Sequence, residues 1–177
     1  MHLTLALPSN PFNYLISSRI CNIMTSHIPK IHFKDSRSMK DVKNNSIRTV
    51  VTSPPYWDMY YYGHDEEIGY GQTYEKYLDS LDKVWEQCYK KLVDDGTLWV
   101  NVSNKITKGK FHFLGSDFAN RISDLGFILQ NVIIWYKPNA MPILTKNKFT
   151  NKHEYLLFFS KTDDYKFYKD RVRIPQQ

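Results

Sequence analysis

Arg48-Thr49-Val50-Val51-Thr52-Ser53-Pro54-Pro55-Tyr56-Trp57 is the stretch on which the fold turns. Four of its first five residues are β-branched, which suits a strand buried in a parallel sheet. Two consecutive prolines then fix φ and remove two amide donors, so the strand cannot continue and the chain leaves the sheet at Ser53. Ligands of open α/β sheets bind at the carboxyl ends of strands, which makes this exit the first candidate site. The turn offers carbonyl acceptors, the Ser53 hydroxyl and the Tyr56 ring. That set suits a flat ligand bearing an exocyclic amine: Ser53 Oγ and the Pro54 carbonyl accept one N–H each, and Tyr56 stacks on the ring. The plain alternative is a tight turn with a packing tyrosine.

Upstream, residues 28–34 read as a short strand with Ile31 and Phe33 alternating with polar neighbours, and Asp35-Ser36 is a turn or helix-start signal. Downstream, residues 58–74 have no period and hold Tyr60-Tyr61-Tyr62, Gly63, Gly69 and Gly71. A loop this long inside a domain is usually functional or disordered. Residues 74–93 are predicted helical, because Tyr77, Leu81, Val84, Cys88 and Leu92 recur at spacings of three and four. Thr73 is the candidate N-cap, and Asp94-Asp95-Gly96 ends the helix. A strand at 97–102, a helix at 114–125 closed by Gly126, and strands at 127–136 and 154–160 follow. A polar, lysine-bearing loop at 137–151 separates the last two. The alternation predicts an α/β sheet with parallel strands, and the two final strands an antiparallel pair on its C-terminal edge.

The chain's 177 residues fit one domain, and 42% hydrophobic residues allow a sizeable core. A net charge of +6 favours a polyanionic partner. The aromatic content, 15%, is mostly packing, although aromatics also stack on nucleobases. Cys21 and Cys88 have no metal-site spacing, and a reducing cytoplasm fits them. His153-Glu154 has no further ligands near it in sequence, so a structural hydrogen bond is expected there and no metal. No stretch reaches the roughly 18–20 apolar residues of a membrane span. Residues 1–23 are broken by Pro8 and Pro11, lack a basic residue before Arg19 and make a poor signal peptide. They read as an extension ahead of a partial domain at 24–177, with Met24 as a candidate start.

Thr52-Ser53-Pro54-Pro55-Tyr56-Trp57 resembles the hallmark of the amino-methyltransferases of restriction-modification systems, in its cytosine-N4 form. The resemblance continues through Glu67-Ile68-Gly69-Tyr70-Gly71, Asp95-Gly96-Thr97-Leu98-Trp99-Val100-Asn101-Val102, Ile133-Ile134-Trp135-Tyr136-Lys137-Pro138-Asn139-Ala140-Met141-Pro142 and Phe149-Thr150-Asn151-Lys152-His153-Glu154-Tyr155-Leu156-Leu157-Phe158-Phe159. It spans roughly residues 31–168. Two positions depart from the pattern: Arg48 stands for a usual acid, and Gly71 for a usual Glu.

The resemblance implies a Rossmann-like methyltransferase sheet and transfer of methyl from S-adenosylmethionine to a base flipped out of double-stranded DNA. Ser53, Pro54, Pro55 and Tyr56 would be catalytic, and Asp35, Thr52 and Ser53 would approach the methyl donor. Asp35 is equally a helix N-cap. Tyr56 and Trp57 would wall the target base, although Trp57 equally simply packs. Lys137 and Lys148 would meet DNA phosphate, or lie solvated in their loop. Serine at the head of the motif favours cytosine N4. Adenine N6 and an inactive DNA-binding remnant are the alternatives, with methylation of RNA or protein glutamine a third. The family's cofactor half carries a D-P-F-x-G-S-G-T loop. The only G-x-G pair here is Gly69 and Gly71, outside that context. The sheet is therefore expected to be incomplete, the chain truncated, a fragment or one part of a split enzyme. A second polypeptide would then supply the missing half, and a restriction endonuclease would be encoded nearby.

Overall fold

The computed structural model of the protein describes residues 30–140 and 147–174. Helix α1 (Tyr74–Lys91) starts where Thr73 Oγ1 accepts the Lys76 amide at 3.3 Å, the capping read from the sequence. Its periodic residues Tyr77, Leu81, Val84 and Cys88 are all buried. Each large apolar side chain so buried contributes on the order of 1.5–3 kcal/mol. Burial also pushes the Cys88 thiol up to about 12, so it is an inert core residue.

Four strands make the main sheet: β1 (Ile47–Thr52), β2 (Leu92–Val102), β5 (Ile128–Tyr136) and β6 (His153–Ser160). Their order is β1-β2-β6-β5. β1 and β2 are parallel, and β6 is antiparallel to both β2 and β5. The antiparallel pair is thus present, but β6 is inserted between β2 and β5 and the earlier strand takes the edge. Leu98, Val100 and Val102 of β2 and Leu157 and Phe159 of β6 pack into one core with α1 and with α2 (Leu114–Asp124). On the other face Trp99 stacks on Phe158 at 4.0 Å, and Tyr165 and Phe167 pack against Phe158. Arg121 of α2 ties the two helices together through Glu75, Asp79 and Asp82. Among the described residues no helix is long and apolar enough to cross a membrane.

Four sequence expectations change, the first at β1: expected to be buried in the sheet, it stands at the edge of the described four strands, with Val51 63% exposed. Residues 30–34 of the strand expected at 28–34 are not in a strand, and Ile31 and Phe33 are exposed. Alternation needs a neighbouring strand to become a strand, and among the described residues none pairs there. Of the turn or helix start read at Asp35-Ser36 the structure has the turn, in which the Asp35 carboxylate accepts the Arg37 amide at 2.9 Å. Helix α1 ends at Lys91, because Leu92 is already extended and pairs with Ile47. Asp94-Asp95-Gly96 therefore lies inside β2. Gly96 is needed there, since a Cβ would come within 2.8 Å of the Val93 carbonyl and 3.1 Å of the Arg48 carbonyl. Finally, β3 (Lys105–Thr107) and β4 (Lys110–His112) form a hairpin that has no counterpart in the sequence reading. Residues 1–23 and Met24 lie outside the described residues.

Candidate active site at the end of the first strand

Strand β1 delivers Thr52, buried and paired with Val100, to the carboxyl end of the sheet. Ser53 is exposed, Pro54 buried, and Pro55, Tyr56 and Trp57 half-buried. The turn is held from below by Tyr77, which is fully buried and whose hydroxyl donates to the Pro55 carbonyl at 2.8 Å. Sequence periodicity marks Tyr77 only as core; its polar end does this second job. Tyr77 thus takes the Pro55 carbonyl, among the described residues no donor reaches the Pro54 carbonyl, and the Ser53 hydroxyl bonds the Tyr56 phenol.

The loop after the motif locks it. Trp57 Nε1 donates to the Gln72 carbonyl at 2.8 Å, and its ring sits 4.9 Å from Tyr74 and 4.8 Å from His112. The Asp58 amide donates to the Gly69 carbonyl at 3.1 Å, and Asp58 Oδ1 accepts the Gly71 amide at 3.2 Å. Gly69 lies at φ +110°, and a Cβ on it would stand 3.4 Å from the Tyr56 carbonyl. The long loop is therefore a backing plate for the turn.

Tyr56 belongs to a small polar cluster. Burial first, and then the Glu154 carboxylate, push its phenol up to about 12, while the Ser53 hydroxyl works in the opposite direction. Glu154 in turn forms an ion pair with Lys137, with only 12% of the Glu154 side chain exposed. The Lys137 amide donates to the Lys152 carbonyl at 2.7 Å, which brings both ends of the 137–152 loop together. So the structure gathers Ser53, Tyr56, Lys137 and Glu154. A carboxylate in a strand carries no periodic signal, and the H-E dipeptide is the only sequence mark of Glu154. His153 Nε2 is 3.0 Å from the Tyr155 hydroxyl.

The remaining candidates make other contacts. Asp35 pairs with Arg37 at 2.8 Å, and Arg37 reaches the Glu66 carbonyl at 3.1 Å. Burial alone would raise the Asp35 carboxyl, but the Arg37 hydrogen bonds and charge outweigh it and hold it below the usual carboxylate range. Lys148 Nζ donates to the Gly109 carbonyl at the tip of the β3–β4 hairpin, at 3.0 Å. A cleft of about 590 Å³ lined by Arg37, Glu66, Glu67, Tyr70, Gln72 and Lys76, among others, opens on the 58–73 loop, and no residue from 52 to 57 lines it.

A parallel strand ending in Ser-Pro-Pro-Tyr carries the motif whose resemblance implies a protein of the amino-group methyltransferase class. The chain belongs to the N6/N4 DNA methylase family, whose model, described as DNA methylase, matches residues 47–177. It is 38% identical over 156 residues to the type II methyltransferase M.MwoI of Methanothermobacter wolfeii, covering 84% of this chain and 23% of that protein. It is 32% identical to M.SfiI of Streptomyces fimbriatus, covering 76% of this chain and 36% of the relative. The chain thus spans well under two thirds of the length of these relatives. Among solved structures it resembles a putative DNA modification methylase of Thermus thermophilus complexed with S-adenosyl-L-methionine, at TM-score 0.59 and 30% identity over 80% of this chain and 60% of that one. The fold also matches the cytosine-N4-specific PvuII DNA methyltransferase, at TM-score 0.61 and 22% identity over 75% of this chain and 48% of that one. The sheet is that of the S-adenosylmethionine-dependent methyltransferases, in part.

The described residues fit the amine side of such a reaction. They do not form a cradle for the methionine part of the donor. The single G-x-G pair is spent on the turn: Gly69 is packed against the Tyr56 and Trp57 backbone, and the Gly71 amide is bonded to Asp58.

Proposed function

We propose that this chain is the catalytic half of a site-specific DNA methyltransferase of a restriction-modification system. It transfers methyl from S-adenosylmethionine to the exocyclic amine of a flipped-out base, cytosine N4, in the cytoplasm. One observation carries the reading. Tyr77 occupies the Pro55 carbonyl while the Pro54 carbonyl beside it meets no donor among the described residues, so Pro54 O and Ser53 Oγ can accept the two hydrogens of one amine. Serine at the head of the motif supports cytosine as the base.

The donor supplies an electrophilic methyl group when bound, and the residues that would approach it are Asp35, Thr52 and Ser53. The chain's own work is on the acceptor. The amine lone pair is delocalised into the base. Accepting both N–H hydrogens draws the nitrogen toward tetrahedral geometry and frees that pair. Tyr56 stays neutral up to about pH 12, so it offers an uncharged face to the base, and stacking of this kind is worth about 1–3 kcal/mol. Trp57 fixes the turn from behind. Lys137 balances Glu154 beside Tyr56, and Lys148 faces phosphate. A segment or second polypeptide carrying the D-P-F-x-G-S-G-T loop completes the donor pocket, with the cognate endonuclease encoded alongside.

The test is to co-express the chain with a polypeptide bearing that loop, digest the host DNA and identify methylated nucleosides by mass spectrometry. N4-methylcytosine is expected, and Ser53→Ala lowers the rate about 10–100-fold, the equivalent of one hydrogen bond of about 1.4–2.7 kcal/mol. N6-methyladenine would overturn the base assigned. No methylation in the completed enzyme would overturn activity and leave a DNA-binding remnant.

A further inference from the structure

We infer that the β3–β4 hairpin, together with Lys148 of the facing loop, is a phosphate-binding ridge that holds the DNA backbone beside the catalytic turn. The inference rests on the reading of the substrate as DNA and adds the surface that grips it.

Charge is the first argument. From Asn104 to Phe113 the chain carries Lys105, Lys108 and Lys110 and no acid, and from Lys137 to Lys152 it carries four lysines and no acid. Several other cations are neutralised within the fold: Arg121 by three carboxylates, Arg48 and Lys166 by Asp95, Lys161 by Asp94, and Lys137 by Glu154. Lys108 and Lys110 are exposed, and among the described residues neither meets a carboxylate. An unbalanced patch of this kind is the electrostatic footprint of a polyanion.

Placement is the second. Lys108 at φ +50° and Gly109 at φ +79° make a two-residue turn in which both φ angles are positive, which fits the twist of the strands. The hairpin is fastened to the catalytic turn twice, by His112 against Trp57 at 4.8 Å and by Lys105 Nζ on the Asp58 carbonyl at 3.0 Å. Lys148 Nζ closes on the Gly109 carbonyl and still has two donors to offer. The base of the hairpin is thereby tied to Trp57 and Asp58, the residues that follow Ser53-Pro54-Pro55-Tyr56.

The third is what the hairpin fails to do for stability. Strands of three residues are too short to stand alone. Ile106 and Phe111, paired across the ladder, remain 39% and 54% exposed instead of filling the core. Apolar side chains flanked by lysines suit the sugars and phosphates of a nucleic-acid strand.

The test uses the full chain and a fluorescein-labelled DNA duplex of arbitrary sequence, followed by anisotropy across a salt series. In the Lys108→Ala/Lys110→Ala/Lys148→Ala protein, the slope of log affinity against log salt should shrink by about 2–3, near 0.9 per lost contact. The corresponding triple Arg substitution should restore it. A control triple, Lys40→Ala/Lys43→Ala/Lys83→Ala, removes the same charge elsewhere and should change the slope far less. Unaltered circular dichroism melts establish that the variants are folded. Equal losses in both Ala triples, an unchanged slope, no DNA binding by the parent chain, or a preference for an RNA duplex would each overturn the inference. The two proposals fail separately. A completed enzyme that methylates DNA with an unchanged slope sinks the ridge alone. A slope that shrinks without methylation sinks the reaction alone.

Discussion

Replacing Tyr77 by phenylalanine removes one oxygen and nothing else from the floor of the Ser53–Tyr56 turn. The ring keeps its contacts with Tyr74 and Phe118, so packing is preserved. What is lost is the 2.8 Å bond to the Pro55 carbonyl. A typical net hydrogen bond is worth about 0.5–1.5 kcal/mol, and an orphaned buried acceptor costs about 1–3 kcal/mol. Pro55 is half-buried, so water recovers part of the loss, and Tyr77→Phe should cost about 1–2 kcal/mol. For a domain of this size that is a fall in Tm of about 2–8 °C. Urea unfolding followed by circular dichroism measures the free energy. The same substitution frees the Pro55 carbonyl to compete for the amine and loosens the turn, so the rate of the completed enzyme should drop as well. A variant within about 0.3 kcal/mol of the parent and equally active would refute the argument that Tyr77 builds the site.

Two further outcomes follow from the same geometry. Gly69→Ala should destabilise by more than about 1 kcal/mol, because φ +110° is strained for alanine and the new methyl would press on the Tyr56 carbonyl; a thermal melt decides, and no loss would contradict the backing-plate role of the 58–73 loop. Alkaline stability should fall in order. Cys88 and Tyr56 are both raised to about 12 in the folded chain, from ordinary values of 9.0 and 10.0, so the unfolded chain gives up their protons first. Their contribution is complete below pH 9 and is lost as pH climbs from 9 through 12; urea midpoints that stay level over that interval would show the two groups are not buried as described.

Much of the site was legible because its signals are local. Proline ends a strand by its own covalent geometry, so Pro54-Pro55 after a β-branched run locates Ser53 at a sheet edge without any knowledge of the sheet. The α1 stripe is legible for a similar reason, since burial of one face repeats every three or four residues. The boundary at Leu92 was not, because a leucine there satisfies the helical period and the strand equally. Pairing with Ile47, 45 positions earlier in the chain, decides it. Asp35-Ser36 signalled a turn or a helix start, and the bonds of its carboxylate to the Arg37 amide and guanidinium decide for the turn. The hairpin was missed because its strands are three residues long and Lys-Gly is a weak turn signal; Trp57 and Asp58 hold it in place.

By itself, then, the sequence determined most of the longer elements and the place of the Ser53–Tyr56 turn at the end of a parallel strand. All of these depend on covalent geometry and short-range period. Only the tertiary structure decided that β6 runs between β2 and β5, that Tyr77 consumes one of the turn's carbonyls, that Glu154 and Lys137 close around Tyr56, and that a lysine-rich hairpin packs on Trp57 and Asp58. Those are contacts between residues far apart in the chain, selected by pairing and burial energies that no local pattern encodes.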